Sequence, residues 1–465
     1  MRSAFPVVLC AAWLAGCTMG PDYVRPDVAL PADWRVSGEQ FEALADTAWW
    51  QQFGDPVLDR LVAEALRENT DLRIASARVD EYAARLGMSA AEGLPQVGAS
   101  ANASRQQTSG AVAHGLRDTY NAFDASLNAS WELDLWGRIR RENEAARAQL
   151  LASEEGRRGV VLSLTAGVAS AYFTLRDLDR QRDIAVETVR TREAAWKVFE
   201  DRFAGGVVSL FELSQSQSQF EEARASVSVI ERAIAQQEQA LSLLLGRHPG
   251  PVERGRPLDE LILPPIPAGL PASLLDRRPD IRQSEQNLVA ANAMIGVAKA
   301  AYFPTLSLTG LTGSASAELS DLLSSGSSLW KGGATLSVPL FTGGRTAARV
   351  QVAEAQQQQA LLAYRRTIQT ALAEVNDALV EQARTREQLD AQSRQVAALQ
   401  VAVEMAWLRY DNGYTGYIEV LDAERSLFNA QLQQTQTQRA LLQAMVKLYK
   451  AMGGGWQRAP GPDTE

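Results

Sequence analysis

Twice along this 465-residue chain the spacing of apolar positions changes from a helical period to a strand period. From Asn121 to Leu135 one face carries Phe123, Ala125, Leu127, Ala129, Trp131 and Leu133, and the other carries Asp124, Ser126, Asn128, Ser130, Glu132 and Asp134. Successive strand side chains point to opposite faces, so this alternation predicts an amphipathic strand. Gln96 to Ser104 alternates more weakly and predicts its partner, giving a β-hairpin over 94–135. The switch returns at Thr305 to Gly313 and at Ala334 to Leu340, where Ala334, Leu336, Val338 and Leu340 oppose Thr335, Ser337 and Pro339. A second hairpin is expected over 304–341.

Each hairpin is followed by an unusually long helical pattern, from Arg138 to about Phe203 and from Arg345 to about Tyr410. At about 1.5 Å per residue, roughly 65 residues reach on the order of 100 Å. Leu361, Tyr364, Ile368, Ala371, Val375 and Ala378 form a coiled-coil-like seam, which resumes at Leu389, Val396, Leu399, Val403, Trp407 and Tyr410. The return helices, about Leu210 to Leu245 and Ile418 to Met452, crowd Gln and Ser onto their other faces. Ahead of the first hairpin, Leu58, Leu61, Val62, Ala65 and Leu66 open a helix that runs to near Gly93, with a weak point at Asn69-Thr70-Asp71.

The two halves are copies. Sliding the chain by 207 positions puts Arg202 on Arg409, Phe203 on Tyr410, Gly206 on Gly413, Glu212 on Glu419 and Gly137-Arg138 on Gly344-Arg345. Upstream the offset is 209, which aligns Asp71 with Asp280 and Arg73 with Arg282. The expected organisation is a leader at 1–16, a strap at 17–54, a first repeat at 55–245 with its tip near 203–212, a proline-rich linker at 246–276, a second repeat at 277–452 with its tip near 410–419, and a tail at 453–465.

The N-terminus supplies an address. Arg2 precedes an apolar run from Ala4 to Leu14, too short to span a bilayer and proportioned like a signal peptide. Leu14-Ala15-Gly16-Cys17 resembles the bacterial lipobox, which implies a lipid attached to Cys17; Thr18 in the following position favours the outer membrane, by resemblance to sorted lipoproteins. Cys10 would leave with the leader, so no disulfide is expected. The formal charge of -9 is dispersed, with no basic block, and excludes a nucleic-acid surface. His114 and His248 have no Cys or clustered acids at metal-ligand spacing, and no phosphate loop or nucleophile elbow is visible, so neither enzyme chemistry nor a metal site is expected. Gly343-Gly344 lies between a strand and a helix but lacks the lysine-serine ending of a nucleotide loop, and it reads as a hinge.

Four amphipathic strands whose apolar face meets lipid must close without an edge, and membrane barrels begin at about eight strands. The barrel must therefore be shared: two chains give eight strands and three give twelve, and the pattern alone leaves both open. A soluble sandwich is the competing use of the strands, and a solid coiled-coil rod the competing use of the helices. The low-charge Gln/Ser/Thr faces favour a water-filled interior over a rod.

The residues resemble the TolC-like outer-membrane factors, in the lipoprotein branch that serves resistance-nodulation-division efflux pumps. The resemblance is carried by Leu14-Ala15-Gly16-Cys17, Gly20-Pro21-Asp22-Tyr23, Trp49-Trp50, the run from Arg277 to Gly310, the run from Val338 to Val350, and Arg409 to Phe428. It implies a mainly α fold with membrane β, duplicated internally, in which four strands per chain join a 12-stranded trimeric barrel above a long periplasmic helical tunnel, with a belt built from the termini and the linker. It further implies a homotrimer that passively conducts substrates across the outer membrane, partnered by a periplasmic adaptor protein and an inner-membrane transporter, with no cofactor beyond the lipid on Cys17. Matched position by position, it gives Arg409 and Tyr410 roles in holding the periplasmic tip shut. Glu419 and Asp422 take the constricting acidic positions, with Glu212 and Arg202 as first-repeat counterparts; Phe203 replaces the tyrosine there and Gln215 stands where the second repeat has Asp422. The alternative is a lipoprotein adaptor, which would carry one hairpin rather than two.

Overall fold

The structure, a computed structural model, describes residues 18–28, 31, 34, 48–107, 119–264, 266 and 274–454. The leader, Cys17 and His114 lie outside the described residues, as does the tail beyond residue 454. The order is helix α1 (Pro56–Glu68), α2 (Thr70–Ala91), strands β1 (Gln96–Gln107) and β2 (Thr119–Leu133), α3 (Arg138–Ala204), α4 (Leu210–Leu244), α5 (Leu274–Arg277), α6 (Pro279–Ala300), β3 (Thr305–Ser316), β4 (Ser328–Ser337), α7 (Arg345–Asp411) and α8 (Tyr417–Ala451). The chain divides into two compact units. One gathers Ala77–Glu154 and Gln283–Arg365 with the chain up to Val28; the other gathers Ala29–Ser76, Glu155–Arg282 and Arg366–Glu465.

The first unit holds a single four-stranded antiparallel sheet in the order β1-β2-β3-β4. Its register places Ala99 opposite Leu127, Leu127 opposite Thr312 and Thr312 opposite Trp330, and likewise Trp131 opposite Leu308 and Leu308 opposite Ala334. Cross-strand partners share a face, so the apolar positions of four strands merge into one continuous surface. That surface is uncovered: Trp330 is 83 % exposed and Leu336 67 %. Among the described residues no second sheet packs on it, which disposes of the sandwich.

The fourth strand starts six residues before the expected Ala334 and stops at Ser337 instead of Leu340. Pro339 has no N–H for the ladder, which ends the strand, and Gly332-Gly333 interrupt the alternation between Trp330 and Ala334. Gly137 and Gly344 adopt φ of 77° and 85°, the left-handed turn that starts each long helix, so Gly343-Gly344 is a strand-to-helix hinge.

In the same unit the strap explains the Gly-Pro-Asp-Tyr motif residue by residue. Gly20, at φ 89°, passes over Gly296 so closely that a Cβ on it would lie 2.5 Å from that Cα. The carbonyl of Pro21 accepts from Asn292 at 2.9 Å, Asp22 pairs with the buried Arg141 at 2.6 Å, and the Tyr23 hydroxyl donates to Glu285 at 3.1 Å. Ala145, Ala148, Ala290 and Ala293 allow α3 and α6 to pack closely.

In the second unit Asn69 breaks the first helical run: its side chain accepts from Leu72 N–H at 3.0 Å and donates to the Leu244 carbonyl at 2.9 Å. Arg278, the counterpart of Asn69 at offset 209, donates to Ala451, the counterpart of Leu244 at offset 207, also at 2.9 Å. The duplication thus preserves a helix-end clamp with different side chains. Trp49 is fully buried and stacks on Tyr449 with centroids 5.5 Å apart. Asp55 caps α1 and accepts from the Tyr172 hydroxyl at 2.6 Å and from the linker's Arg256 N–H at 3.1 Å; a Cβ on Gly255 would collide with that carboxylate.

Candidate functional site at the paired helical tips

Both tips belong to the second unit, and both turn on the same backbone device. After α3, Gly206 takes φ 71°, its N–H reaches the Phe203 carbonyl at 2.9 Å and Val207 N–H reaches Arg202 at 2.8 Å. After α7, Gly413 takes φ 72°, its N–H reaches Tyr410 at 2.9 Å and Tyr414 N–H reaches Arg409 at 2.9 Å. This is the glycine-terminated Schellman end, in which the left-handed residue lets the chain reverse while two otherwise orphaned carbonyls are satisfied.

The return helices start differently. Ser209 caps α4 in a full capping box with Glu212, whose carboxylate accepts from Ser209 N–H at 2.8 Å. Glu212 is therefore committed to its own helix end. Gly416 stands at the cap of α8 and offers no side chain, so Glu419 is free of that duty and lies 3.5 Å from Arg409 across the turn.

The second tip buries an aromatic ring where the first exposes Leu210, although Val208 and Leu213 of the first tip pack against the same cluster. Tyr417 is 3 % exposed and sits 4.3 Å from Phe199, 5.5 Å from Tyr410 and 6.0 Å from Trp407 by ring centroid, with Val420 and Leu421 completing the cluster. Arg202 joins the repeats: its guanidinium lies 5.9 Å over the Tyr410 ring and 3.6 Å from the Asp411 carboxylate. Behind the cluster, α3, α7 and α8 enclose a hollow of about 840 Å³. Trp407 Nε1 donates to Glu424 at 2.9 Å there, and the buried Arg192 lies 5.7 Å from the Phe428 ring.

Burial sets the electrostatics. It raises the Tyr410 hydroxyl, with Glu212 and Asp411 adding to the shift and Arg202 opposing it. It pushes Tyr417 up to about 12. It also raises the Glu424 carboxyl, against the Trp407 N–H and Arg192, and lowers the Arg192 guanidinium. Tyr410, Tyr417 and Glu424 resist ionisation because their charged forms have lost water.

Of the residues expected to act together, the structure joins Arg202 with Tyr410 and Arg409 with Glu419. The bond between repeats runs from Arg202 to Asp411 rather than from Arg409. Glu419 and Asp422 share one hollow of about 420 Å³ with Leu399, Ala402 and Ser426, while Asp422 pairs with Arg425 on its own helix at 2.6 Å. Phe199, Asp411, Tyr417, Glu424 and Arg192 were not singled out from the sequence. Tyr417 had a signal, an aromatic in the first turn of α8 where the first repeat has Leu210, but the acidic neighbours masked it.

A family model described as outer membrane efflux protein matches residues 61–247 and 270–454, one segment on each repeat. The chain belongs to the outer membrane efflux protein family. It is 36 % identical over 449 residues to the probable outer membrane lipoprotein SilC of Salmonella typhimurium, covering 95 % of this chain and 96 % of that one. It is 35 % identical over 470 residues to the toluene efflux pump outer membrane protein TtgC of Pseudomonas putida, covering 99 % and 97 %. Among solved structures, the open state of the MtrE outer membrane channel of Neisseria gonorrhoeae superposes with a TM-score of 0.85 at 34 % identity, covering 95 % of this chain and 99 % of that one. Similar solved chains are trimeric outer-membrane channels with a periplasmic helical tunnel, and the architecture expected from the sequence holds, duplication included. The protein is the outer-membrane channel of a tripartite efflux system, with an adaptor protein and an inner-membrane transporter as partners. Its family consists of channels, not enzymes, and the adaptor alternative has no support.

Proposed function

We propose that the second tip is the element that closes this efflux channel. The packing of Tyr417 between Phe199 and Tyr410 holds the α7–α8 turn against α3, with Arg202–Asp411 and Arg409–Glu419 as exposed, breakable ties. The observation that carries this reading is the coincidence of a buried aromatic cluster with half-exposed ion pairs at one turn, strong enough to define a state and weak enough to be released by a docking partner. Glu419 and Asp422 form the constricting acidic positions: threefold repetition gathers about six carboxylates around one axis, where they attract cations and repel one another.

Cys17 carries the lipid anchor. Thr18 and Met19 tie the strap to the start of α3, with Met19 N–H on the Trp136 carbonyl at 3.0 Å, so the acyl chains would leave from the sheet-to-helix junction. Residues 1–16 are the leader, and the linker at 246–276 forms part of the belt. A passive duct need not select its cargo, and relatives of 35–36 % identity are named for cations in one case and toluene in another.

Single-channel recording of the purified protein in planar bilayers tests the closure model. The wild-type channel should be blocked by multivalent cations, and Glu419→Gln with Asp422→Asn should weaken that block several-fold. Unchanged block would remove the two acids from the constriction; no pore under any condition would overturn the conduit itself.

A further inference from the structure

Away from the tips, the long helices of the second unit touch in a fixed order. Gln237 on α4 donates to the Ala171 carbonyl of α3 at 2.8 Å. Thr435 and Arg439 on α8 reach Asp177 of α3 at 2.9 and 3.2 Å. Lys447 and Gln434, also on α8, reach Glu381 and Ser393 of α7 at 2.7 and 3.0 Å. The order is α4, α3, α8, α7, with α4 and α7 at the edges. Closing three copies into a ring leaves α7 of each beside α4 of the next.

The internal repeat says what that seam contains. Helices α3 and α7 are each 67 residues long, α4 and α8 are each 35, and both pairs correspond at 207 positions with no insertion. The α3–α8 joint inside one chain should therefore recur between chains as α7–α4. At the inner joint Asp177 is fully buried and accepts from Gln181, Thr435 and Arg439, while Gln443 donates to Ser170 and Thr174 at 3.0 Å each. Moving by 207, Gln181 becomes Gln388, and Thr435, Arg439 and Gln443 become Ser228, Arg232 and Gln236, four residues apart on one face of α4. Their types persist and all four are exposed in the single chain, as a face awaiting a neighbour would be. The acid changes, and so do the acceptors of the glutamine: Ser170 and Thr174 become Asp377 and Glu381. Asp177 becomes Arg384, which is 74 % exposed at its side chain and bridges to Glu387 of its own helix at 2.8 Å.

We propose that Arg384 on α7 packs against Ser228, Arg232 and Gln236 on α4 of the partner subunit, forming a joint between protomers that lacks the buried carboxylate of the joint within each protomer. The proposal rests on the trimeric channel described above. Arginine facing arginine makes this seam the weaker of the two: the intrachain joint has a buried acid between its two helices, whereas the acids near Arg384, namely Glu387, Glu381 and Asp377, are not buried, and Glu381 is already paired with Lys447 of its own chain.

The test uses the full-length channel in outer-membrane extracts. The pair Arg384→Cys with Ser228→Cys, mildly oxidised, should give covalent dimers and trimers on a non-reducing denaturing gel. The corresponding pair Asp177→Cys with Thr435→Cys should stay monomeric because its bond forms within one chain. A trimer that migrates intact in unheated samples but gives no covalent ladder from the first pair overturns the seam. Absence of any trimer in unheated wild-type samples instead overturns the trimeric reading and the seam with it. As an independent arm, Arg384→Asp restores the acid opposite Arg232 of the partner subunit and should raise the temperature at which the trimer dissociates; an unchanged or lowered temperature overturns the assignment of this seam as the weaker joint.

Discussion

The two helical tips share a backbone and differ in what it carries. Gly206 and Gly413 turn the chain at almost the same φ, yet the first turn is closed by a capping box and displays Leu210 at 62 % exposure, while the second begins at an uncapped glycine and buries Tyr417 at the equivalent position. The capping box gives the start of α4 a local bond that α8 lacks. The second tip, without one, depends on Phe199 from the other repeat. Duplication has thus left one turn with a cap of its own and one whose order depends on a contact that a partner could remove, which suits a fixed post and a movable leaf.

The largest effect should come from removing that contact. Tyr417→Ala leaves a cavity among Phe199, Tyr410 and Val420, and burial losses of this kind cost about 3–5 kcal/mol. The channel should then spend more time at high conductance in bilayer recordings. Leu210→Ala, at the exposed counterpart, should fall within about 0.5 kcal/mol of wild type and leave gating unchanged. Equal behaviour of the two variants would erase the distinction between the tips.

Next in size is the cap. Ser209→Ala removes a side-chain acceptor from the start of α4 and should cost about 1 kcal/mol, seen as faster amide exchange in its first turn. Gly416→Ser, with Glu419 already three residues on, should build the missing box. Its gain is only a few tenths of a kcal/mol, but it would draw Glu419 away from Arg409, and the two tips should exchange at more similar rates. If Gly416→Ser leaves exchange at the second tip unchanged, the lack of a cap is not what makes it dependent.

A third contrast is chemical. Glu424 at the second tip corresponds to Gln217 in the first. Burial raises the Glu424 carboxyl above its ordinary 4.5, so the folded hairpin holds the proton more tightly than the unfolded chain does. The stability this contributes is whole below the ordinary value and is lost as pH rises through the raised one. Exchange protection at the second tip, corrected for intrinsic rates, should therefore fall as pH rises from the ordinary carboxylate value through the raised one. Glu424→Gln should flatten the profile to that of the first tip; a profile that stays sloped assigns the dependence to another group.

The sequence made the repeat, the strands and the long helices legible because each is a matter of period, and period survives in a single chain. It did not reveal the start of β4 because Gly332-Gly333 carry no side chain to alternate; that strand exists through its ladder with β3. At the tip, Tyr410 and Glu419 were singled out by the family resemblance of the run from Arg409 to Phe428. Asp411, Phe199 and Arg192 were not, because their roles come from α3 and α7 meeting across about 200 residues of chain, which no local pattern encodes. The acid that became Arg384 stayed hidden for the same reason: the two halves match well enough to be aligned, but only coordinates show that position 177 is a joint.

The smallest effect expected is also the most diagnostic of a breakable tie. Arg202 and Asp411 are 39 % and 54 % exposed at their side chains, so their pairing is worth no more than about 1 kcal/mol at low salt. Screening shortens to about 3 Å at 1 M ionic strength, against about 10 Å at 0.1 M, which is close to the separation of the pair and should nearly abolish the attraction. Arg202 also covers the Tyr410 ring, and its stem can pack there after the charge partner is gone. Asp411→Asn should therefore raise open probability slightly at 0.1 M salt and not at 1 M, whereas Arg202→Ala should keep a residual effect at both because it strips the ring as well. In a double-mutant cycle, the coupling energy between the two positions should vanish at high salt while the Arg202→Ala residue of effect remains. A coupling that persists at 1 M would mean the contact is no surface tie but a desolvated bond, and the second tip would then be locked in the same manner as the buried Asp177 joint.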